Sequence, residues 1–339
     1  MAGVSREVRL AARPRGEPSE EHFEIAETPV PEPAVGEILV RNAYFSVDPY
    51  MRPRMNAVRS YAASFELGEA LHGGAVGRVE ESRNPGFAVG DWVLHGLGWR
   101  EWALSDGRGV RAIDPAIAPV STALGVLGMP GLTAYHGIFE IGKPKEGDVV
   151  FVSGAAGAVG SAAGQMARIA GCRVIGSAGS PEKLAWLREL GFDDVFDYHD
   201  VTPRDALREL APDGIDVYFD NVGGDHLEAA IGAMRMYGRI VACGSIGVYN
   251  EAEPAPGPRN LFHVVTKRLL MQGYIISDHF DEYPEFLGRA GEWVRDGRLR
   301  YRETVVEGIE NAPRAFLGLF HGDNIGKMLV KVGPGPAES

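Results

Sequence analysis

The run Ser153-Gly154-Ala155-Ala156-Gly157-Ala158-Val159-Gly160 offers phosphate-binding chemistry. Gly157 and Gly160 match the last two glycines of a G-x-G-x-x-G turn, with Ala155 at the first. Gly157 would let the backbone approach a pyrophosphate, and Gly160 would let a helix pack closely on a strand. The helix beginning at Ala158 and Val159 would then aim free N–H groups and a positive dipole end at the phosphates. A glycine pattern alone is weak. Here a β-branched, aromatic run (148–153) precedes it and a small-residue helix (158–170) follows, which is the context the chemistry needs.

The choice between NAD and NADP falls at the end of the next strand. An NAD site places a carboxylate there for the ribose 2′-hydroxyl, and that carboxylate would repel a 2′-phosphate. The sequence reads Val174-Ile175-Gly176-Ser177-Ala178-Gly179-Ser180, with no acid. Ser180 opens a helix with Pro181 at its first position, and Lys183 lies in the first turn. A hydroxyl, free amides and an ammonium make an anion site. Lys183 also reads as an ordinary surface lysine, and Glu182 is a misfit beside a phosphate.

Metal chemistry finds little support in the residues. A catalytic zinc needs Cys, His and carboxylate ligands, and a structural zinc lobe needs clustered cysteines. The chain has two cysteines, Cys172 and Cys243, both expected to be buried thiols. Ser46-Val47-Asp48-Pro49 holds no cysteine, His72 is followed by two glycines, and the other histidines are scattered. No metal is implied. Without a Lewis acid a plain ketone is hard to polarise, whereas hydride addition to a conjugated C=C spreads charge to an enolate oxygen that hydrogen bonds can hold. No G-x-S-x-G nucleophile elbow occurs, and Gly244-Ser245-Ile246-Gly247 reads as the end of a sheet strand.

The elements that must position these residues divide in two. Residues 1 to about 120 carry short apolar runs (37–40, 74–79, 91–94) separated by Gly, Pro and Asp, the texture of a compact β-barrel-like domain. Thr28 to Pro33 reads as an extended loop. Beyond 120, strands at 148–153, 173–177, 195–198, 216–220, 239–243 and 269–274 alternate with helices at 158–170, 181–190, 203–211, 225–236, 260–268 and 283–296. That alternation predicts an α/β, doubly wound parallel sheet. The proline-rich 250–260 segment reads as a surface loop and 333–339 as a frayed tail. A net charge of −12 argues against nucleic acid or anionic membrane as a partner. The apolar stretch Val120 to Phe139 is broken by glycines and Pro130, so a membrane span is not expected. The N-terminus shows no secretory signal, and the low cysteine count fits the cytoplasm.

Seven segments, taken together, carry a resemblance. They are Val47-Asp48-Pro49-Tyr50-Met51-Arg52, Gly128-Met129-Pro130-Gly131-Leu132-Thr133-Ala134-Tyr135, the 155–161 turn, Gly179-Ser180-x-x-Lys183, Phe219-Asp220-Asn221-Val222-Gly223-Gly224, Cys243-Gly244-Ser245-Ile246-x-x-Tyr249-Asn250, and Asn324-Ile325-Gly326-Lys327. The chain resembles, over nearly its whole length, the zinc-independent prostaglandin reductase, leukotriene 12-hydroxydehydrogenase and alkenal double-bond reductase family of the medium-chain dehydrogenase/reductase superfamily. Bacterial curcumin reductase-like proteins fall in the same group.

The resemblance implies a GroES-like substrate domain (1–125), a Rossmann NADP-binding domain (126–305) and a C-terminal return to the first (306–339), with the cofactor in a cleft between domains. It implies a homodimer and NADPH-dependent reduction of the C=C bond of α,β-unsaturated aldehydes and ketones. Carried over position by position, Lys183 and Tyr198 would bind the 2′-phosphate end and Asn221 the adenosine–ribose side. Cys243, Gly244, Ser245, Ile246 and Tyr249 would line the nicotinamide side, as would Ile275, Ile276 and Ser277, and Asn324 would also reach the cofactor. Tyr249 could hold the enone oxygen or supply the final proton, since a phenol is a neutral donor at pH 7. Tyr50 is the second candidate. Both tyrosines also read as packing aromatics, and water remains an alternative proton source. The rival functions are an NADPH-dependent quinone reductase and a redox-inactive NADPH-binding protein. His72-Gly73-Gly74 departs from the methionine-containing segment of animal members, so animal eicosanoids are not assumed as substrates.

Overall fold

The computed structural model describes residues 3–336 and divides into two compact units. The first holds the chain up to Gly125 and resumes at Glu303. Its seven-stranded sheet runs in the order Glu303–Glu307, Lys327–Lys331, Ile38–Ser46, Ala75–Ser82, Trp92–His95, Arg111–Ile113, with Trp102–Ser105 pairing to Ile38–Ser46. The first pair is parallel and the others antiparallel. Ile38–Ser46 is buried along nearly its whole length because strands flank it on both sides. A fully buried Trp99 anchors the aromatic core, stacking on Phe23 and Phe45 and meeting Phe316 edge-on.

Two sequence expectations change here. The segment expected to loop from Thr28 belongs in part to a strand, Phe23–Pro29, which pairs antiparallel with Val4–Leu10. Pro29 is tolerated because it ends that edge strand. The tail is held at its start, where Val332 and Gly333 donate backbone bonds to the Ala43 carbonyl. Residues 337–339 lie outside the described chain.

The second unit, Val126–Arg302, is the nucleotide-binding type of α/β layer. Its strands are β1 (Val149–Val152), β2 (Arg173–Ala178), β3 (Asp194–Asp197), β4 (Ile215–Asp220), β5 (Met234–Ala242) and β6 (Leu270–Gly273). All pairings are parallel, in the order β3-β2-β1-β4-β5-β6. This is the Rossmann order, which reverses between β1 and β4 and opens a crevice at the carboxyl ends of those strands. The helices are α1 (Met129–His136), α2 (Ala158–Ile169), α3 (Pro181–Glu189), α4 (Pro203–Leu210), α5 (Gly224–Ala233), α6 (Phe262–Thr266) and α7 (Tyr283–Arg295). β1 is buried on both faces, so it reads as an unbroken apolar run.

Boundaries move where pairing or backbone geometry overrides propensity. The helix expected to reach 236 stops at Ala233 because Met234 already pairs with Ile215. The ladder is then interrupted, with Tyr237 at φ 62°, before Arg239 resumes it opposite Val217. The helix expected to reach 268 ends at Thr266, and Arg268 adopts φ 52°. Strand β5 ends at Ala242, so 244–247 is no strand end; Ile246–Val248 is a 3₁₀ turn. Residues 250–260 carry no helix or strand and are mostly exposed, as expected. No described helix is long and apolar enough to cross a membrane.

Two buried histidines, His95 in the first unit and His226 in the second, titrate in a way that bears on stability. In the first, His95 Nε2 lies 2.9 Å from Asn42 Oδ1 and Nδ1 accepts from Leu97 N–H at 3.1 Å, an arrangement that suits the neutral ring. Burial, then the charge of Arg100, lowers its pKa from 6.5 to about 4. Burial does the same to His226 in the second unit, to about 4. Both take up a proton more readily unfolded than folded. Their contribution is complete above pH 6.5 and is lost as pH falls toward 4, about 3 kcal/mol for each. Urea midpoints measured from pH 7 to pH 4 are expected to fall steeply across that window. A His95→Gln variant is expected to lose about one proton from the acid slope of the first unit, and an unchanged slope would refute the assignment.

Candidate functional site

The site is built from turns at the carboxyl ends of β1, β2, β4 and β5. The first, after β1, places Gly154 at φ 58°, which makes Gly154 the tight-turn glycine and leaves Ala155 in ordinary backbone. The sequence pattern had put Ala155 there. Ala155 N–H bonds the Ser177 carbonyl at 2.9 Å, tying the turn to the end of β2. A Cβ on Gly160 would lie 2.5 Å from the Gly154 carbonyl oxygen and 2.8 Å from Ala155 Cα, so only glycine fits that helix–turn contact. A Cβ on Gly157 would meet only the Gly154 oxygen, at 3.4 Å. Gly157 caps α2 without a side-chain hydrogen bond, so Ala158 and Val159 begin a helix whose leading amides lack a side-chain acceptor. An open glycine before an uncapped helix N-terminus suits a phosphate.

The second turn follows β2. Ser180 caps α3 and its hydroxyl accepts from Lys183 N–H at 3.4 Å, which sets Lys183 in the first helical turn. The tyrosine expected here is brought close, because a Cβ on Gly179 would lie 2.5 Å from the Tyr198 hydroxyl. It would also lie 2.9 Å from His199 Nε2, so His199 joins this cluster although the sequence reading passed over it. Only contact through the β2–β3 register reveals it, since Tyr198 and His199 follow β3. Glu182, the misfit, is drawn toward Arg302 in an exposed pair of 2.9 Å. That pair contributes ~0–1 kcal/mol to stability; its effect is to hold a carboxylate against Arg302.

The third component organises the others. Asp220, at the end of β4, is buried. Its Oδ1 accepts from Tyr218 hydroxyl at 2.7 Å, Gly223 N–H at 2.8 Å and Val222 N–H at 3.0 Å. Burial raises its pKa, opposed by these hydrogen bonds. Asn221 then spans to the first turn: its Nδ2 donates to the Ser153 carbonyl at 2.7 Å and its backbone N–H to Ser153 Oγ at 3.0 Å. From the other side, Cys243 and Gly244 donate to the Asp220 carbonyl, both at 3.0 Å, and Ile246 donates to the Asn221 carbonyl. The β1, β4 and β5 turns are thus one hydrogen-bonded block.

Tyr249 sits on this block, and its hydroxyl oxygen accepts from Ser245 N–H at 3.2 Å. A phenol oxygen that accepts an N–H is polarised as a donor. Cys243 is only partly buried, in contrast to the expectation, yet desolvation pushes its thiol up to about 12. It has no thiolate character at neutral pH, while Cys172 is buried as expected. Ile275, Ile276 and Ser277 follow β6, with Ile276 buried and Ser277 exposed.

Two candidates belong to the first unit. Tyr50 is half-buried at the start of the short helix Met51–Arg54, and desolvation, followed by the charge of Asp48, holds its phenol above the ordinary range. Asn324 donates from Nδ2 to the Gly326 carbonyl at 2.7 Å. Close by in sequence, Lys327 makes a buried ion pair with Asp48 at 2.8 Å and donates to the Val47 carbonyl at 3.0 Å. Asp48 also accepts from the Ser46 hydroxyl. Two segments more than 270 residues apart, Val47 to Arg52 and Asn324 to Lys327, are therefore joined by a charge pair the sequence could not announce. The histidines read as scattered are not all so: His136 and His279 stack, with Glu282 beside both.

Comparison with known proteins gives consistent matches. Residues 6–113 match the family described as the N-terminal domain of oxidoreductase, and 158–292 that described as zinc-binding dehydrogenase. YfmJ of Bacillus subtilis, described as an NADP-dependent oxidoreductase, is 47% identical over 98% of this chain and 99% of its own length. The NADPH-dependent curcumin reductase of Escherichia coli is 41% identical, covering 95% of each chain. The NADP(+)-dependent 2-alkenal reductase of Nicotiana tabacum is 43% identical, covering 94% of each. Among solved structures, CurA from Vibrio vulnificus in complex with NADPH superposes with a TM-score of 0.92 at 43% identity, covering 97% of this chain and 99% of that one.

Removing the Asp220 carboxylate tests the block. Asp220→Ala leaves the Val222 and Gly223 amides without their acceptor, while the Tyr218 hydroxyl keeps Ser153 Oγ at 2.9 Å. It is expected to cost about 3 kcal/mol in a chemical denaturation series. A loss under about 0.5 kcal/mol would show that the turns do not depend on it.

Proposed function

We propose that this chain, which belongs to the zinc-independent reductase branch of the medium-chain dehydrogenase/reductase family, reduces the C=C bond of α,β-unsaturated aldehydes and ketones with NADPH. One observation carries the cofactor assignment: the run from Val174 to Ser180 at the end of β2 holds no acid, and the turns after β1 and β2 carry open amides, a hydroxyl and an ammonium. The uncapped start of α2 behind Gly157 suits the pyrophosphate. Ser180, Lys183 and Tyr198, with His199 beside them, suit the 2′-phosphate, and Glu182 is engaged by Arg302. The relatives named as NADP(H)-dependent reductases support the same reading.

A bound dihydronicotinamide would supply the hydride. The chain has to place the substrate and manage its charge. As the β-carbon becomes reduced, negative charge moves to the carbonyl oxygen, and a preorganised neutral donor stabilises it. We assign that donor to Tyr249, whose oxygen is oriented by Ser245 N–H. It can hold the enolate oxygen, with protonation at the α-carbon completing the saturated product. Cys243, Gly244, Ser245 and Ile246 form the adjoining wall, with Ile275, Ile276 and Ser277 after β6. Asn221 holds the pyrophosphate turn in register. On the resemblance alone, Tyr50 is assigned to the substrate and Asn324 to the cofactor.

NADPH and NADH oxidation followed at 340 nm, with EDTA present, tests the proposal on a 2-alkenal, an arylidene ketone, a quinone and a saturated ketone. NADPH-specific turnover of the first two to saturated carbonyls is expected. Turnover of the quinone alone would replace the proposal with a quinone reductase, and tight NADPH binding without turnover would leave a binding protein. On the alkenal, Tyr249→Phe is expected to lower kcat by ~10²-fold with little change in NADPH affinity. An unchanged kcat would remove Tyr249 from the chemistry.

A further inference from the structure

The second unit contains a cluster that the reductase reading does not use. His136 ends α1, where the chain enters a π-helical turn, Gly137–Gly142, a local widening that recurs at functional sites. His279 and Glu282 lie on the 3₁₀ segment Ile276–Glu282, which is kinked at His279, φ −127° and ψ 24°. The kink brings the His279 ring against the His136 ring, with centres 3.8 Å apart. Glu282 Oε1 and Oε2 each lie 3.0 Å from His136 Nδ1, and Oε1 lies 3.4 Å from His279 Nδ1. One donor atom from each of the three residues lies within 4.8 Å of the others. Among the described residues this is the group of three or more His, Cys, Asp or Glu side chains with such spacing.

We propose that His136, His279 and Glu282 form a binding site for a transition-metal dication of the zinc class. The donor set decides the class: two imidazoles and one carboxylate select zinc, nickel or copper over magnesium and calcium, which prefer all-oxygen shells. The spacing agrees. Ligand bonds of ~2.0–2.1 Å in a tetrahedron put donors ~3.3 Å apart, and the two histidine–glutamate separations of 3.0 and 3.4 Å bracket that. The two rings lie 30° from parallel with centres 3.8 Å apart, so an ion would draw the partly exposed His279 side chain out of that contact and turn its Nδ1 toward Glu282. His136 is almost fully buried, while His279 and Glu282 keep about a third and a quarter of their side-chain surface. The site is therefore fixed on its inner side and open on its outer side, where water completes the shell. The ion would fasten the 276–282 segment to the end of α1, so its effect is on stability and on the order of that segment.

The test uses the full chain without a polyhistidine tag, treated with EDTA and desalted. Zinc chloride is titrated by calorimetry in a non-coordinating buffer, and cobalt(II) binding is followed by visible absorption. Uptake of one zinc per chain is expected, with an intense tetrahedral cobalt band and a raised thermal midpoint. His279→Ala and Glu282→Gln, at the two solvent-reaching ligands, are each expected to weaken zinc at least ~tenfold, whereas His263→Ala is expected to leave it unchanged. No stoichiometric uptake by the unsubstituted chain, or uptake equally tight in His279→Ala and Glu282→Gln, would overturn the site. Enone turnover in EDTA is read separately, so the two proposals fail independently.

Discussion

A single carboxylate taken out of water sets the geometry of the nucleotide-binding unit. Asp220 is buried where β4 ends, and its solvation is replaced by the Tyr218 hydroxyl and the amides of Val222 and Gly223. An unpaired charge at that position would be costly, so the 221–223 turn has to close around it. Once the turn is closed, the Asp220 and Asn221 carbonyls receive the 243–246 segment and the Asn221 side chain grips Ser153. The turn after β1 and the segment carrying Tyr249 therefore inherit their positions from the same residue pair. A hydrogen-bonded block of this kind holds the three turns rigidly against one another.

The first unit shows the same logic with an ion pair. Lys327 and Asp48 are both buried, and neither would remain charged there alone. Their pairing fixes the Val47–Arg52 segment, and with it the backbone at Tyr50, against the strand that begins at Lys327. This gives a physical reason for those two segments to occur together in one chain. Each is the other's solvent.

The Rossmann sheet was legible because its signals are local. A β-branched run, a glycine turn and a small-residue helix follow in order, and the end of β2 lacks an acid. Positions whose meaning is non-local were hidden. Gly154 took the tight turn because its φ is set by β2 holding Ala155, and no spacing rule ranks Gly154 above Ala155. His199 emerged only when β3 lay beside β2. The strand at Phe23–Pro29 was masked by prolines that an edge strand tolerates. The histidine cluster joins residues more than 140 positions apart, so the chain read in order shows unrelated histidines.

The proposed reaction carries hydride from NADPH to the β-carbon of an enone. Product analysis by mass spectrometry and NMR, after turnover of an arylidene ketone with NADPH carrying deuterium at both C4 positions of the nicotinamide, follows the transferred hydrogen directly. The expected product is a saturated ketone with one deuterium on the β-carbon and a solvent-derived hydrogen on the α-carbon. Deuterium on the carbonyl carbon of an allylic alcohol, or a product with none, would contradict it.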